Sequence, residues 1–216
     1  MSLTLLDIYN KVTGQSWSLY ETEITDFEEV DKSVIISIQK ALRMLWNAYP
    51  YTFRLKNKKI NLLPNQGQYY KPDGNIVDKG VKLLETGEIL KPKMFNDVID
   101  ERVGKPEYFY IKYNKLNFYP IPDKNYTVSI DYNTFKMGLT TKGEAVYNLN
   151  NPDDTLNIPE IYEDLFLHTL INKSMLNALA SGRSELYQAY LSQFIETYRD
   201  LLTTTSGLDI GMEIKW

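Results

Sequence analysis

Apolar residues recur at helical spacing near both ends of the chain. In the segment 26–48 they lie at Val34 and at the positions 1, 4, 7, 8 and 11 residues after it. This spacing forms one stripe along a helix, which is predicted to end before Pro50. A second helix is predicted from Pro159, a residue favoured in the first helical turn, and a third from Ser184 after a short break. Because this break is short, the last two helices should pack antiparallel.

Between these helices the period falls from nearly four residues to two. In 126–132, tyrosine and branched residues alternate with polar ones, which is typical of a strand with one buried face. The aromatic runs 108–111 and 116–119 predict a hairpin. The runs 51–55 and 60–63 predict another hairpin, with Asn57-Lys58 at its turn.

The patterns together predict an α+β fold, with an antiparallel helical bundle, a β-rich insertion between its N-terminal and C-terminal helices, and an extended C-terminal tail. The helical domain would comprise residues 1–50 and 157–203. The insertion would span 51–156, and the tail 204–216.

Within the predicted tail, every second residue from 208 to 216 is apolar. The residues between them are Asp209, Gly211, Glu213 and Lys215. A strand of this kind must pair, either within its own chain or by addition to the sheet of another chain. The residues predicted to bind a partner are the apolar ones: Leu208, Ile210, Met212, Ile214 and Trp216.

Composition narrows the possible functions. The chain of 216 residues has no cysteine, which excludes disulfides and thiolate metal sites. Its net charge of −4 makes the chain as a whole a poor candidate for binding nucleic-acid phosphates. No apolar run approaches the ~18 residues of a membrane span, and no basic leader segment opens the chain. We therefore expect assembly in a cytoplasm, with no membrane partner.

The candidate catalytic and metal-binding residues have simpler structural interpretations. The single histidine, His168, lies on a helical stripe and is expected to be half-buried. One histidine without cysteine argues against a catalytic triad or a histidine-rich metal site, so we expect no enzyme activity, no cofactor and no metal. A group of acidic residues matches no calcium loop and suits a helix start: Asp153, Asp154, Glu160, Glu163 and Asp164.

Two surface features leave alternatives open. The basic group Lys56-Asn57-Lys58-Lys59 is either a solvated turn or a contact for a phosphate or an acidic partner. The tyrosines of 108–132 serve either core packing and subunit contact or a stacking platform for sugars or bases.

The order of these patterns resembles the head-to-tail adaptor proteins of tailed bacteriophages, also called connector, tail tubular or ring proteins. The resemblance covers most of 26–202, and the large insertion is closer to the short-tailed type, including the crAss-like group. The matching segments are the aromatic-Pro-aromatic helix exit in 41–53, the segments 104–107, 117–123 and 126–132, and the segment 156–160 that leads into the helix pair.

The resemblance implies a structural virion protein located in the neck or tail. Such adaptors form a ring, commonly of twelve copies, beneath the capsid portal, and the ring carries downstream tail or ring proteins. Their C-terminal tail reaches toward the portal, and double-stranded DNA passes non-specifically through the lumen. Twelve copies at −4 would carry about −48, which would repel DNA from the walls.

An alternative function is a monomeric carbohydrate-binding module or a glycoside hydrolase that uses the aromatic β region. This hypothesis predicts a concave pocket with paired acids near Tyr108, Tyr110 or Tyr119.

Overall fold

The chain divides into two compact units. The computed structural model describes residues 3–16, 32–94, 102–179 and 184–206. Residues 1–53 and 136–216 form one unit, here called the terminal unit, and residues 54–135 form the other, the central unit. All four α-helices of the described residues belong to the terminal unit: α1 (Leu5–Ser16), α2 (Lys32–Ala48), α3 (Glu160–Leu179) and α4 (Ser184–Ser206).

One hydrophobic core joins the four helices of the terminal unit. The predicted stripe on α2 is confirmed, since Ile38, Leu42 and Leu45 are buried while Val34 packs against the core from a half-buried position. Full burial of one such side chain stabilises a fold by about 1.5–3 kcal/mol. The other helices contribute Leu5 and Ile8 from α1, Phe166 and Leu170 from α3, and Phe194 and Leu201 from α4.

Short strands lie among these helices. The segment before α1 bridges to Thr155 through Thr4, and the Leu156 N–H donates to the Leu3 carbonyl at 3.0 Å. Met137, Leu149 and Leu156 fill part of the same core as the helices. The strands form a small antiparallel sheet in the order β11-β10-β12, with β10 at Gly138–Leu139, β11 at Ala145–Val146 and β12 at Thr155–Leu156.

The described residues of the central unit form three sheets. Strand β9 follows the predicted alternation, with Tyr126, Val128 and Ile130 buried. One antiparallel sheet has the order β1-β9-β3, namely Leu55–Leu62, Tyr126–Thr134 and Gly74–Leu83. The second has the order β2-β7-β6-β4, namely Gln68–Tyr70, Lys115–Tyr119, Tyr108–Lys112 and Lys91–Pro92. The third pairs β5 (Val103–Gly104) with β8 (Ile121–Pro122).

The hairpin predicted around Asn57-Lys58 is wrong. Residues 55–62 form the single strand β1, which pairs with β9 along its whole length. The pairing runs without a break from Leu55 opposite Asn133 to Leu62 opposite Tyr126, so no turn interrupts the strand at Asn57-Lys58. The hairpin predicted for 108–111 and 116–119 is confirmed as β6 and β7.

The predicted architecture of the fold is also wrong. The protein is α+β, but the described residues hold four helices and twelve strands in four small sheets, and one sheet lies in the terminal unit. It is therefore a strand-rich α+β protein and not a helical bundle with a β insertion. Strands of two residues are too short to show an alternation, so hydrophobic periodicity did not reveal them.

Tyr126 makes the stability of the central unit depend on pH in the alkaline range. Burial first, and then the hydrogen bond its hydroxyl donates to Asp123 Oδ1 at 2.8 Å, raise the pKa of Tyr126 from 10.0 to about 12. Between these two values the unfolded chain has lost a proton that the folded chain keeps. The stabilisation is therefore complete below about pH 10 and is lost as the pH rises toward about 12.

We expect Tyr126→Phe to remove this component of the pH dependence, as measured by urea denaturation at about pH 9, 10 and 11. Tyr113→Phe is the matched control, because Tyr113 is 88% exposed. An identical loss of stability with rising pH in the wild type and Tyr126→Phe would contradict the assignment.

A candidate binding face on the four-stranded sheet

One face of the sheet β2-β7-β6-β4 carries tyrosines, amides and lysines. Directly opposite residues of antiparallel strands share a face. Tyr108 lies opposite Tyr119, and Tyr110 lies opposite Asn117. Phe109 and Phe118 occupy the other face and are buried in the core of the central unit. We call the first face the tyrosine face: Gln68, Tyr70, Tyr108, Tyr110, Lys112, Lys115, Asn117 and Tyr119.

Cations lie over the rings at both ends of β7. At one end, Lys93 Nζ is 5.0 Å from the centroid of the Tyr108 ring and 5.3 Å from that of Tyr119. Arg102 Cζ is 5.5 Å from the Tyr119 centroid. At the other end, Lys115 Nζ is 4.3 Å from the Tyr70 centroid. Such cation–π contacts are each worth about 0.5–1 kcal/mol at exposed sites, so they position the cations on the face.

A cleft of about 400 Å³ adjoins the Tyr108 end of this face. Within it Lys105 Nζ lies 2.6 Å from Glu88 Oε2. This hydrogen bond, and next the one from Thr86, hold the pKa of Glu88 below its usual range. The lining residues include Glu88, Leu90, Lys91, Lys105, Glu107 and Tyr108.

The chemistry of this cleft favours ionic recognition over proton donation. A general acid near neutral pH needs a raised carboxyl pKa. The shift at Glu88 has the opposite direction, so this carboxyl is a poor proton donor. The carbohydrate hypothesis predicts a pocket with paired acids near Tyr108; the cleft there has Glu88 and Glu107 in its wall, but Glu88 is paired with Lys105.

The two units carry charges of opposite sign. Residues 54–135 contain 14 Lys and Arg against 10 Asp and Glu, a net charge of +4. The rest of the chain contains 10 Lys and Arg against 18 Asp and Glu, a net charge of −8. The overall value of −4 thus conceals a basic unit that contains the tyrosine face.

The predicted acidic group is not gathered into a metal site. Only Asp154 of the group is buried, and burial alone would raise its pKa. The backbone N–H groups of Asn151 (2.9 Å) and Asn150 (2.8 Å) donate to Asp154 Oδ2, and together with the Asn151 side chain they lower the pKa of this carboxyl overall. Within the described ranges, no three potential metal ligands lie together.

The other residues singled out in the sequence lie at several separate places in the chain. Tyr108, Tyr110 and Tyr119 meet on one face, where Tyr108 and Tyr110 are half-buried and Tyr119 is buried. His168 is exposed on α3, so its predicted half-buried position is wrong. Lys56–Lys59 lie within strand β1 and not at a hairpin tip. The predicted docking residues Leu208, Ile210, Met212, Ile214 and Trp216 lie outside the described residues.

Lys93, Arg102 and Tyr70 were not singled out by sequence reasoning. Each is separated from its ring or cation partner by at least fifteen positions along the chain. Isolated basic residues in a mixed sequence are normally solvated, so only the pairing of strands identifies them as part of a site.

Comparison of the chain with protein-family models and with curated proteins found no match. Among the described residues, no helix is long and apolar enough to cross a membrane.

Proposed function

We propose that this protein is a structural virion component that forms an oligomeric ring, joins the capsid portal to the tail and lets double-stranded DNA pass through its lumen. One observation carries the proposal. Helices from both ends of the chain share a single core, while residues 54–135 form a separate unit. The resemblance to head-to-tail adaptors implies this sharing, because in those proteins the helical domain, drawn from both ends of the chain, builds the ring.

Exposed apolar residues on the helices are available to contact a neighbouring subunit. Ile36 on α2 is 52% exposed, and Ile161 at the start of α3 is 80% exposed. Single exposed apolar side chains are common on monomers, so these residues support a ring only together with the shared core. In the ring proposed here they would be covered by the neighbouring copy.

Deletion of the predicted C-terminal tail tests the proposed docking to the portal. We expect removal of 207–216 to leave the fold intact and to abolish co-assembly with the portal, because an alternating strand would dock by strand addition. The two proteins, co-expressed with and without the deletion, would be examined by electron microscopy for rings on portals. Thermal unfolding would report the fold of the truncated chain.

A matched variant separates docking by the apolar residues from a simple requirement for length. Changing Ile210 and Ile214 to serine should prevent docking, whereas Asp209→Asn with Glu213→Gln should preserve it. Intact docking of the truncated chain would contradict the role of the tail. A full-length chain that forms no ring even with the portal present would contradict the adaptor function itself, since portal nucleation covers the case of a free monomer.

A monomeric carbohydrate-binding module is the second candidate, favoured by the cleft beside Tyr108 with its two glutamates. It predicts that neutral polysaccharides bind the isolated monomer and that Tyr108→Ala weakens this binding. Titration calorimetry with soluble glucans and mannans tests it. Absence of heat with all of these would remove the candidate.

A further inference from the structure

We propose that the tyrosine face, with Lys93 and Arg102, binds single-stranded nucleic acid without sequence preference. This activity is separate from ring formation and does not depend on it. The face combines four properties: cations that gather at Tyr119, no described carboxylate paired with Lys93 or Arg102, a second cation over a ring at the other end of β7, and an exposed ring at Tyr70.

Two cations gather at the Tyr119 end of the face. Lys93 and Arg102 both lie within 5.5 Å of the Tyr119 centroid, where the ring attracts each of them. Across the described ranges, neither residue forms an ion pair with a carboxylate. Lys105, in contrast, is paired with Glu88. A phosphate at this end of the face would therefore meet two cations that no described carboxylate neutralises.

The opposite end of β7 repeats the combination of ring and cation. Lys115 lies over Tyr70, whose side chain is 75% exposed. Tyr119 follows Lys115 by four positions on the strand, a distance of about 14 Å at ~3.4 Å per residue. An isolated phosphate cannot reach both ends, so the face fits a polymer of about four nucleotides, the lower end of the site sizes known for single-strand platforms.

The aromatic rings of the face favour a polymer whose own planar groups can stack on them. Bases of a single strand expose planar faces that stack on aromatic side chains, whichever base is present. A four-stranded sheet that displays aromatic residues is also an established platform for single-stranded RNA. In a duplex the base faces are stacked on one another and cannot stack on the protein as well. Single-stranded nucleic acid satisfies both the cations and the exposed ring of Tyr70.

The charge of the central unit supports the same partner. The net charge of +4 on residues 54–135 attracts a polyanion even though the whole chain is acidic. Phosphate contacts release counterions, so the affinity should fall as salt is added, with a slope of about −0.7 per contact for single strands.

The test uses the full chain and a fluorescein-labelled oligothymidylate of about 15 nucleotides, with anisotropy read over a salt series. We expect Lys93→Gln with Arg102→Gln to weaken binding at least about ten-fold and to reduce the salt slope by about 1.4, or two contacts. Tyr70→Ser should weaken binding about five-fold through lost stacking. The matched control is Lys79→Gln with Lys82→Gln on β3, which removes the same charge from the same unit and should change the affinity less than about three-fold.

Circular dichroism of each variant checks the fold, and Lys115→Gln replaces the double variant if that variant unfolds. Absence of binding by the wild type, or equal losses in the face variants and the control, would overturn the proposal. Tighter binding to duplex DNA or to polyuronate than to the oligothymidylate would assign the face to that polymer instead and likewise overturn it.

Discussion

Replacing Phe166 with alanine is expected to lower the free energy of unfolding by about 3–5 kcal/mol. The Phe166 side chain is fully buried in the core shared by the four helices. Its ring meets that of Tyr51 edge to face, with the centroids 6.2 Å apart. Alanine would leave a cavity that α1, α2 and α4 cannot all close at once, because each is held by its own contacts.

Urea denaturation followed by helical circular dichroism measures this loss, since all the described α-helices belong to the terminal unit. Ile161→Ala on the same helix is the control, because Ile161 is 80% exposed and its truncation should change stability by less than about 0.5 kcal/mol. A loss below about 1 kcal/mol for Phe166→Ala would mean that the two ends of the chain do not depend on a common core.

Gly74→Ala is expected to destabilise the central unit by about 3 kcal/mol, at the upper end of overpacking costs. A Cβ at this position would collide with the Asn133 carbonyl oxygen and would approach Tyr132 Cδ2 to 2.6 Å. Asn133 pairs with Leu55 on β1 and with Asn75 on β3, so its backbone cannot move without breaking a ladder. The substitution therefore strains the middle strand of the sheet.

The thermal midpoint of the central unit should fall by more than about 10 °C for this change. Gly104→Ala is the matched control in the same unit, because the nearest atom to its added Cβ, Pro120 Cβ, lies at the ordinary contact distance of 3.6 Å. A Gly74→Ala protein that melts with the wild type would contradict the close approach of β3 to β9. Equal shifts for both variants would indicate a general cost of losing glycine and not this contact.

The elements that sequence predicted correctly have long, regular hydrophobic patterns. The stripe of α2 and the alternation of β9 each extend over several turns or residue pairs, so burial of one face follows from period alone. The fold class was predicted only at the level of α+β. The sheet β11-β10-β12 is built from strands of two residues, whose position depends on contacts with distant segments such as that around Thr4.

The position of strand β1 also could not be predicted from local sequence. Its charged residues Lys56, Lys58 and Lys59 suggested an exposed turn. An edge strand explains these charges equally well, because lysine on an edge strand discourages pairing with other chains. Only the register with β9, where Lys58 lies opposite Ile130, distinguishes the two interpretations.

For the candidate site, the tyrosines were visible in sequence and the cations were not. The period of two places Tyr108 and Tyr110 on one face of a strand, and this is a local property of the chain. Whether Lys93 and Arg102 reach Tyr119 depends on strand pairing across the sheet. Net charge is a sum over the whole chain and cannot show that a basic unit and an acidic unit are combined in one protein.

The helices with long stripes, the aromatic hairpin and the absence of thiol chemistry could be read from the amino-acid sequence, because they follow from local period and composition. Which strands pair, that both chain ends share one core, and that Lys93 and Arg102 gather at Tyr119 became visible only in the folded chain. Those features join residues far apart in the chain, and the free energy that brings them together comes from burial and pairing that no local pattern encodes.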